Sequence, residues 1–296
     1  HFNHYTYCII GDGCIMEGIS HESASLAGHL KLSNLIVLYD DNKVSIDGPT
    51  SLTMSDKTLE RFSSYGWQTQ IVDGYDFDSI NSALINAKND DRPSIISCKT
   101  LIGYGSPNKQ GTSSTHGAPL GENEISLTRR SMGWTFEPFH IPDNIMNLWR
   151  TSALRNKKNY ENWKKESEEK LSKLKISTQN FNKKVLTARV NSCKYFLDNK
   201  VDLASRKSSE IILSHLIDTG LNLLGGSADL TGSNNTYVKN MQVIDKNNFT
   251  GNYLHWGVRE HCMAAAMNGI ALHGFFVPYG GTFLVFSDYC RPAIRL

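Results

Sequence analysis

The six cysteines of this chain include no C-x-x-C pair, the spacing that marks many zinc and redox sites. Most of Cys8, Cys14, Cys98, Cys193, Cys262 and Cys290 lie in apolar segments, where a free thiol behaves as a small hydrophobe. A reducing, cytoplasmic setting is the expectation. An excess of charge of one sign is missing too. A net charge of +2 gives no electrostatic case for nucleic acid or an anionic membrane as partner. No apolar run approaches the roughly 18 residues that span a bilayer, and no signal-peptide pattern opens the chain. Internal repeats and low-complexity blocks are absent. The chain begins at His1 rather than Met and ends in mid-pattern, so it reads as a slice of a longer protein. What remains is a globular composition over 296 residues, room for about two domains.

Strand-like and helix-like segments alternate as far as Trp134. YTYCIIG (5–11) reads as a buried strand, residues 15–30 as a helix and NLIVLYD (34–40) as a second apolar strand. SDKTLERFSSY (55–65) reads as a helix with Ser55 as its N-cap. WQTQIV (67–72), a helix near 76–89 and SIISCK (94–99) continue the series. That order predicts a parallel sheet with helices on both faces. Residues 155–184 are rich in Lys, Asn and Glu, and 162–175 read as a polar, solvated helix. Alternation resumes near residue 206. Residues 208–220 form an amphipathic helix ending at Gly220, and 221–234 a strand that runs into a polar loop. Residues 258–274 read as a helix of small side chains and 275–279 as a strand. A helix begins in 282–296, and Pro292 should kink or restart it.

The stretch IIGDGCIMEG (9–18) carries the first chemical signal. Ligands of an open parallel sheet bind beyond the carboxyl ends of its strands. Gly11 and Gly13 let the backbone approach a ligand without a Cβ in the way, and the following helix start suits an anion such as phosphate. Asp12 does not suit one, because its charge repels it. A divalent cation between carboxylate and phosphate removes the conflict. Mg²⁺ takes six oxygens in near-octahedral geometry. Asn42, just past the second strand, and a loop carbonyl near Val44 are oxygen donors at a neighbouring strand end. Alone, a Gly-Asp-Gly triplet is also found in ordinary turns.

Together these residues resemble a known family. The pattern GDGCIMEG…LYDDN is similar to the thiamine-diphosphate signature, and residues 11–48 as a whole closely resemble transketolases. IGYGSPNKQGTSSTHGAPLG (102–121), SRKSSE (205–210), GGSADLTGSN (225–234), GVREHCMAAAMNGI (257–270) and PYGGTFLVFSDY (278–289) agree. The resemblance is weakest in the polar arm. It implies an α/β fold of two doubly wound parallel-sheet thiamine-diphosphate-binding domains, both incomplete, joined by a polar helical linker. Residues 1–135 would be the later part of the diphosphate- and metal-binding domain, 136–200 the linker and 201–296 the first part of the pyrimidine-binding domain. It also implies transfer of a two-carbon ketol unit from a ketose phosphate to an aldose phosphate in the pentose phosphate pathway. The cofactors implied are thiamine diphosphate and Mg²⁺ or another divalent cation. The implied state is a homodimer with active sites between subunits.

The resemblance assigns residues as follows. Asp12, Asn42 and the Val44 carbonyl match metal ligands, and Gly13 a diphosphate contact. Glu260 matches the catalytic glutamate. It hydrogen bonds to a ring nitrogen of the aminopyrimidine and so promotes the tautomer that takes the thiazolium C2 proton, leaving a carbanion. An apolar setting would raise the pKa of such a carboxyl. Without the resemblance, a Glu in a helix's first turn is ordinarily a dipole-complementing charge. Phe283, Phe286 and Tyr289 match an aromatic pocket around the pyrimidine, though a period of three is also that of a core stripe. His116 matches a contact to cofactor and substrate, and a donor to a developing oxyanion. Arg206 and Ser233 match a substrate-phosphate site, and Asp229 a carboxylate near the cofactor. Ile46 resembles an apolar cofactor neighbour. Glu17 and Glu22, one helical turn apart, resemble interface glutamates, and a helix-start charge explains them equally well. Sister enzymes with the same cofactor (dihydroxyacetone synthase or 1-deoxyxylulose-5-phosphate synthase) stay open. So does a non-catalytic relative that only binds cofactor and dimerises. The slice alone is expected to lack ketol-transfer activity.

Overall fold

In a computed structural model, which describes residues 4–174 and 178–296, the chain separates into two compact units, His1–Lys157 and Lys158–Leu296. The first contains β1 (Thr6–Gly11), α1 (Asp12–Met16), α2 (Gly18–His29), β2 (Leu35–Asp41), α3 (Thr58–Ser64), β3 (Gln68–Asp73), α4 (Phe77–Lys88), β4 (Ser94–Lys99), α5 (Glu122–Ser131) and α6 (Asp143–Leu154). The four strands are parallel and ordered β1-β2-β4-β3.

Successive strand side chains point to opposite faces, and both faces here are apolar. Val37, Tyr39 and Ile95 pack with Ile15, Ala24, Ala27, Phe62 and Trp67, which come from α1, α2, α3 and the turn after α3. Ile36 and Ile96 pack on the other face with Val72, Ala83 and Ala87, the alanines from α4. A strand covered on both faces has no polar side, which explains the continuous apolar run LIVLY. The Trp67 indole N–H donates to the Ala24 carbonyl at 2.8 Å and locks α2 to the start of β3. Asp76 caps α4, accepting from the Asp78 and Ser79 amides at 3.0 and 3.2 Å.

Three expectations change in this unit. β1 is not buried: among the described residues it pairs only with β2, and Ile9 is 76 % exposed. The helix expected over 15–30 is two helices, because Glu17 adopts an extended ψ of 135° between α1 and α2. Ser55 is not a cap. Helix α3 starts three residues later, with Lys57 at the N-cap and no side-chain cap bond.

The second unit holds α7 (Lys157–Leu174, which begins at the boundary), α8 (Thr178–Asn199), α9 (Ser205–Asp218), β5 (Leu223–Ser227), α10 (Thr231–Asn234), β6 (Tyr253–His255), α11 (Glu260–His273), β7 (Val277–Gly281) and α12 (Ser287–Arg295). Lys175, the last residue of the expected polar helix, lies outside the described residues. Its three strands are parallel and ordered β6-β5-β7. Tyr253, wholly buried, packs with Val238 and Met241, against which Leu213, Ile217 and Tyr279 rest. Gly226 is required by close approach: a Cβ there would lie 1.8 Å from the Leu254 carbonyl oxygen. Helix α9 stops where expected, with Gly220 left-handed at φ 68°. Pro292 does not start a new helix but sits inside α12. Its missing N–H leaves the Asp288 carbonyl without its intrahelical donor. The described helices include none long and apolar enough to cross a membrane.

Candidate active site

The parallel register pairs Gly11 with Asp40, so the residues after β1 and β2 emerge side by side. Asp12 opens α1 and is 2 % exposed. Its Oδ1 accepts from the Tyr39 hydroxyl at 2.5 Å and its Oδ2 from the Lys43 amide at 3.0 Å. Among the described residues it has no ion-pair partner. Its neighbour Asp41 is the opposite case. Lys43 Nζ lies 2.8 Å away, Lys99 Nζ also pairs with it, and the Ser97 hydroxyl donates at 2.7 Å. Burial pushes the Asp41 carboxyl up, but the hydrogen bonds from Lys43, Lys99 and Ser97 outweigh it and hold the group below its ordinary range. Burial, then the neighbouring carboxylates, raise the Tyr39 phenol well above its ordinary value, so it remains a donor.

Asn42 follows β2 directly. Its Oδ1 accepts from the Val44 amide at 3.0 Å and its Nδ2 donates to Asp40 at 3.2 Å. Lys43 is left-handed, φ 62°. Val44 bridges Pro49 through the Lys43 carbonyl and the Ser45 amide, a pairing that does not use the Val44 carbonyl. The donor set near this turn is therefore a carboxylate, a side-chain amide oxygen and a main-chain carbonyl, all hard oxygens of the kind Mg²⁺ takes. A Cβ added at Gly11 or Gly13 would meet nothing within 4 Å. Internal packing does not demand glycine there, and the open space suits a ligand. These residues fit a diphosphate bound through a divalent cation. Ile46, at the tip of the same turn, is 75 % exposed. Glu17 is exposed at the break between α1 and α2, so it and Glu22 are not successive turns of one helix.

His116 is exposed at the end of a 3-10 turn over Ser113–Thr115. Its loop is tied down at the base. Glu124 of α5 accepts from the Ser106 hydroxyl, from the Asn108 amide at 2.8 Å and from Asn108 Nδ2 at 2.9 Å. Lys109 Nζ donates to the Leu120 carbonyl at 2.8 Å. The Ser106 and Asn108 bonds hold the Glu124 carboxyl below its ordinary value.

In the second unit, Asp229 is exposed and left-handed, φ 58°, two residues past β5. Ser233 is exposed on α10. Arg206, in the first turn of α9, lines a cleft of about 650 Å³ together with Ser209, Asn234, Thr236, Tyr279 and Thr282. Ser233 adjoins that cleft through Asn234 but does not line it. Glu260 opens α11 at 7 % exposure, and its carboxylate makes no hydrogen bond or ion pair among the described residues. Only its carbonyl is engaged, by Cys290 Sγ at 3.4 Å. Phe283 precedes a 3-10 turn over Leu284–Phe286, Phe286 ends it and Tyr289 lies in the first turn of α12. Their rings stack at 6.1 Å and 15°, then 6.2 Å and 25°. Phe283 and Tyr289 remain exposed, so the stripe is not core.

Tyr39, Asp41 and Glu124 escaped the sequence reading. Tyr39 belonged to an apolar run, and nothing local distinguishes Glu124 from a helix-start charge. The doubled Asp of LYDDN was the one visible hint.

Two family models cover nearly the whole chain. The one described as "Transketolase, thiamine diphosphate binding domain" matches residues 1–189. The one described as "Transketolase, pyrimidine binding domain" matches residues 201–296. Fold and motifs together define a thiamine-diphosphate-binding α/β protein. A transketolase of Sinorhizobium medicae is 47 % identical over 299 residues, 99 % of this chain and 43 % of its own length. One of Buchnera aphidicola is 44 % identical over 99 % of this chain and 45 % of its own length. The chain belongs to the transketolase family. Among solved structures, a Pichia stipitis transketolase in complex with sedoheptulose-7-phosphate superposes with a TM-score of 0.86 at 36 % identity, over 99 % of this chain and 45 % of that one. A Campylobacter jejuni transketolase does so at 0.85 and 35 %, with the same coverage. The chain thus spans a little under half the length of these relatives.

Proposed function

We propose that the full-length protein carrying this chain is a transketolase. It moves a two-carbon ketol unit from a ketose phosphate to an aldose phosphate in the cytoplasmic pentose phosphate pathway. It acts as a homodimer with active sites between subunits. Asp12 carries the reading: a buried carboxylate beside an open glycine hinge, held by two neutral donors and without a cationic partner among the described residues. A buried charge without compensation is costly, and a divalent cation supplies that compensation.

In this reading residues 1–135 hold diphosphate and metal, 136–200 connect, and 201–296 begin the pyrimidine-binding half. Asp12, Asn42 and the Val44 carbonyl hold Mg²⁺ or another divalent cation, and Gly13 leaves room for the diphosphate. Thiamine diphosphate, when bound, supplies the electron sink for breaking and remaking a carbon–carbon bond. Glu260 would hydrogen-bond a ring nitrogen of the aminopyrimidine, a role supported by its burial without a carboxylate partner among the described residues. Phe283, Phe286 and Tyr289 wall the ring from water, and Asp229 stands near the cofactor. His116 donates to the substrate oxygen on which charge develops. The guanidinium fork of Arg206 and the Ser233 hydroxyl bind the substrate phosphate. The sugar phosphate named for the Pichia stipitis relative supports that substrate class.

The test is a coupled assay of the full-length protein with a ketose phosphate donor and an aldose phosphate acceptor. Turnover should require both thiamine diphosphate and a divalent cation. Absence of transfer with both supplied, or equal coenzyme binding after chelation, overturns the reading.

A further inference from the structure

Strand β2 places alternate side chains on one face, and two of them, Tyr39 and Asp41, are buried and polar at their tips. The two do different work. Asp41 collects the ammonium groups of Lys43 and Lys99. Tyr39, at 0 % exposure, gives its hydroxyl to Asp12 Oδ1 at 2.5 Å. The Lys43 amide takes Oδ2 at 3.0 Å, although the ammonium of the same residue goes to Asp41. Asp12 therefore receives one donor on each oxygen, and both donors are neutral. A carboxylate offers about four lone-pair directions. Two donors on opposite oxygens fix its rotation and leave the remaining lone pairs, and the full charge, for a cation.

We propose that Tyr39 is a positioning residue that presents Asp12 to a divalent cation without neutralising it. The proposal rests on the reading of Asp12 as a metal ligand. Removing the hydroxyl leaves Asp12 free to turn, so the cation is held less well while the coenzyme's other contacts stay. In the full-length protein, Tyr39→Phe should raise the apparent Kd for Mg²⁺ roughly tenfold or more, the scale of one hydrogen bond to a charged group. The titration is made at saturating thiamine diphosphate and followed by intrinsic tryptophan fluorescence. Turnover at saturating Mg²⁺ should fall by a smaller factor. Mg²⁺ demands stricter geometry than Ca²⁺, so the variant should lose affinity for Mg²⁺ more than for Ca²⁺, a change that mere loosening of the core does not produce.

Tyr39→Met is made alongside, because it also lacks the hydroxyl but fills the space differently. A Mg²⁺ shift common to whichever variants fold supports the proposal. An unchanged Mg²⁺ affinity in a folded variant overturns it. Asp12→Asn separates the two layers of the argument. If it binds metal and coenzyme normally, the metal reading itself fails. If it loses both while the Tyr39 variants keep theirs, only the role of Tyr39 fails.

Discussion

Two aspartates at adjacent strand ends show how much a carboxylate's partners decide. Asp41 is paired with two lysines and accepts from a serine, whereas Asp12 has a phenol and an amide. The first is a structural ion cluster, and the second has no ion-pair partner among the described residues. Glu260 belongs with Asp12: it is buried, it opens a helix, and its carboxylate has no partner among the described residues. A group that stabilises the fold through no bond of its own can be removed without unfolding the protein. Glu260→Ala in the full-length protein should therefore lower turnover by roughly 10²–10⁴-fold, the scale of a lost acid–base contribution, with the melting midpoint held or raised. Steady-state kinetics beside a thermal melt checks both halves, and unchanged turnover removes Glu260 from the mechanism.

At the scale of elements, the loop after β4 matters most, because it carries His116 and has little regular structure of its own. Its anchor is Glu124 of α5, which binds Ser106 and Asn108. Those bonds hold the Glu124 carboxyl below its ordinary value. A carboxylate depressed in the folded state stabilises it fully above the unfolded value, about 4.3, and that contribution is lost as pH falls through the folded value. Glu124→Gln lacks the contribution at every pH. The melting midpoints of the parent and the Glu124→Gln variant should thus differ most near neutrality and converge only as pH falls through the folded-state value, which lies below the ordinary carboxylate range. A difference that persists or grows in acid would mean the anchor is not the ionised carboxylate. The same variant should show faster amide exchange at Asn108, where a bond to the carboxylate is lost.

The whole molecule is two parallel-sheet units whose relatives are about twice as long. Strand β1 has one neighbour among the described residues and exposes Tyr7 and Ile9. An apolar strand with an unpaired edge is prone to associate. The isolated 296-residue chain should scatter light increasingly with concentration and show no ketol transfer, while the full-length protein stays clear and turns over. Robust activity from the isolated chain would show that these residues suffice for the chemistry.

The alternation of strands and helices was legible from residue spacing, as were both faces of β2, the stop at Gly220 and the position of Asp12 and of Asn42 each just past a strand. All are set by neighbours along the chain, through periods of two and 3.6 residues or through a glycine where the backbone must turn. Tertiary structure alone decided that Glu17 breaks a helix and that Tyr39 reaches Asp12. It also decided that Lys99 goes to Asp41. Those contacts join residues 27 and 58 positions apart, and only the register of parallel strands brings them together. Local pattern specifies which face a side chain takes, whereas its partner depends on which strand lies alongside.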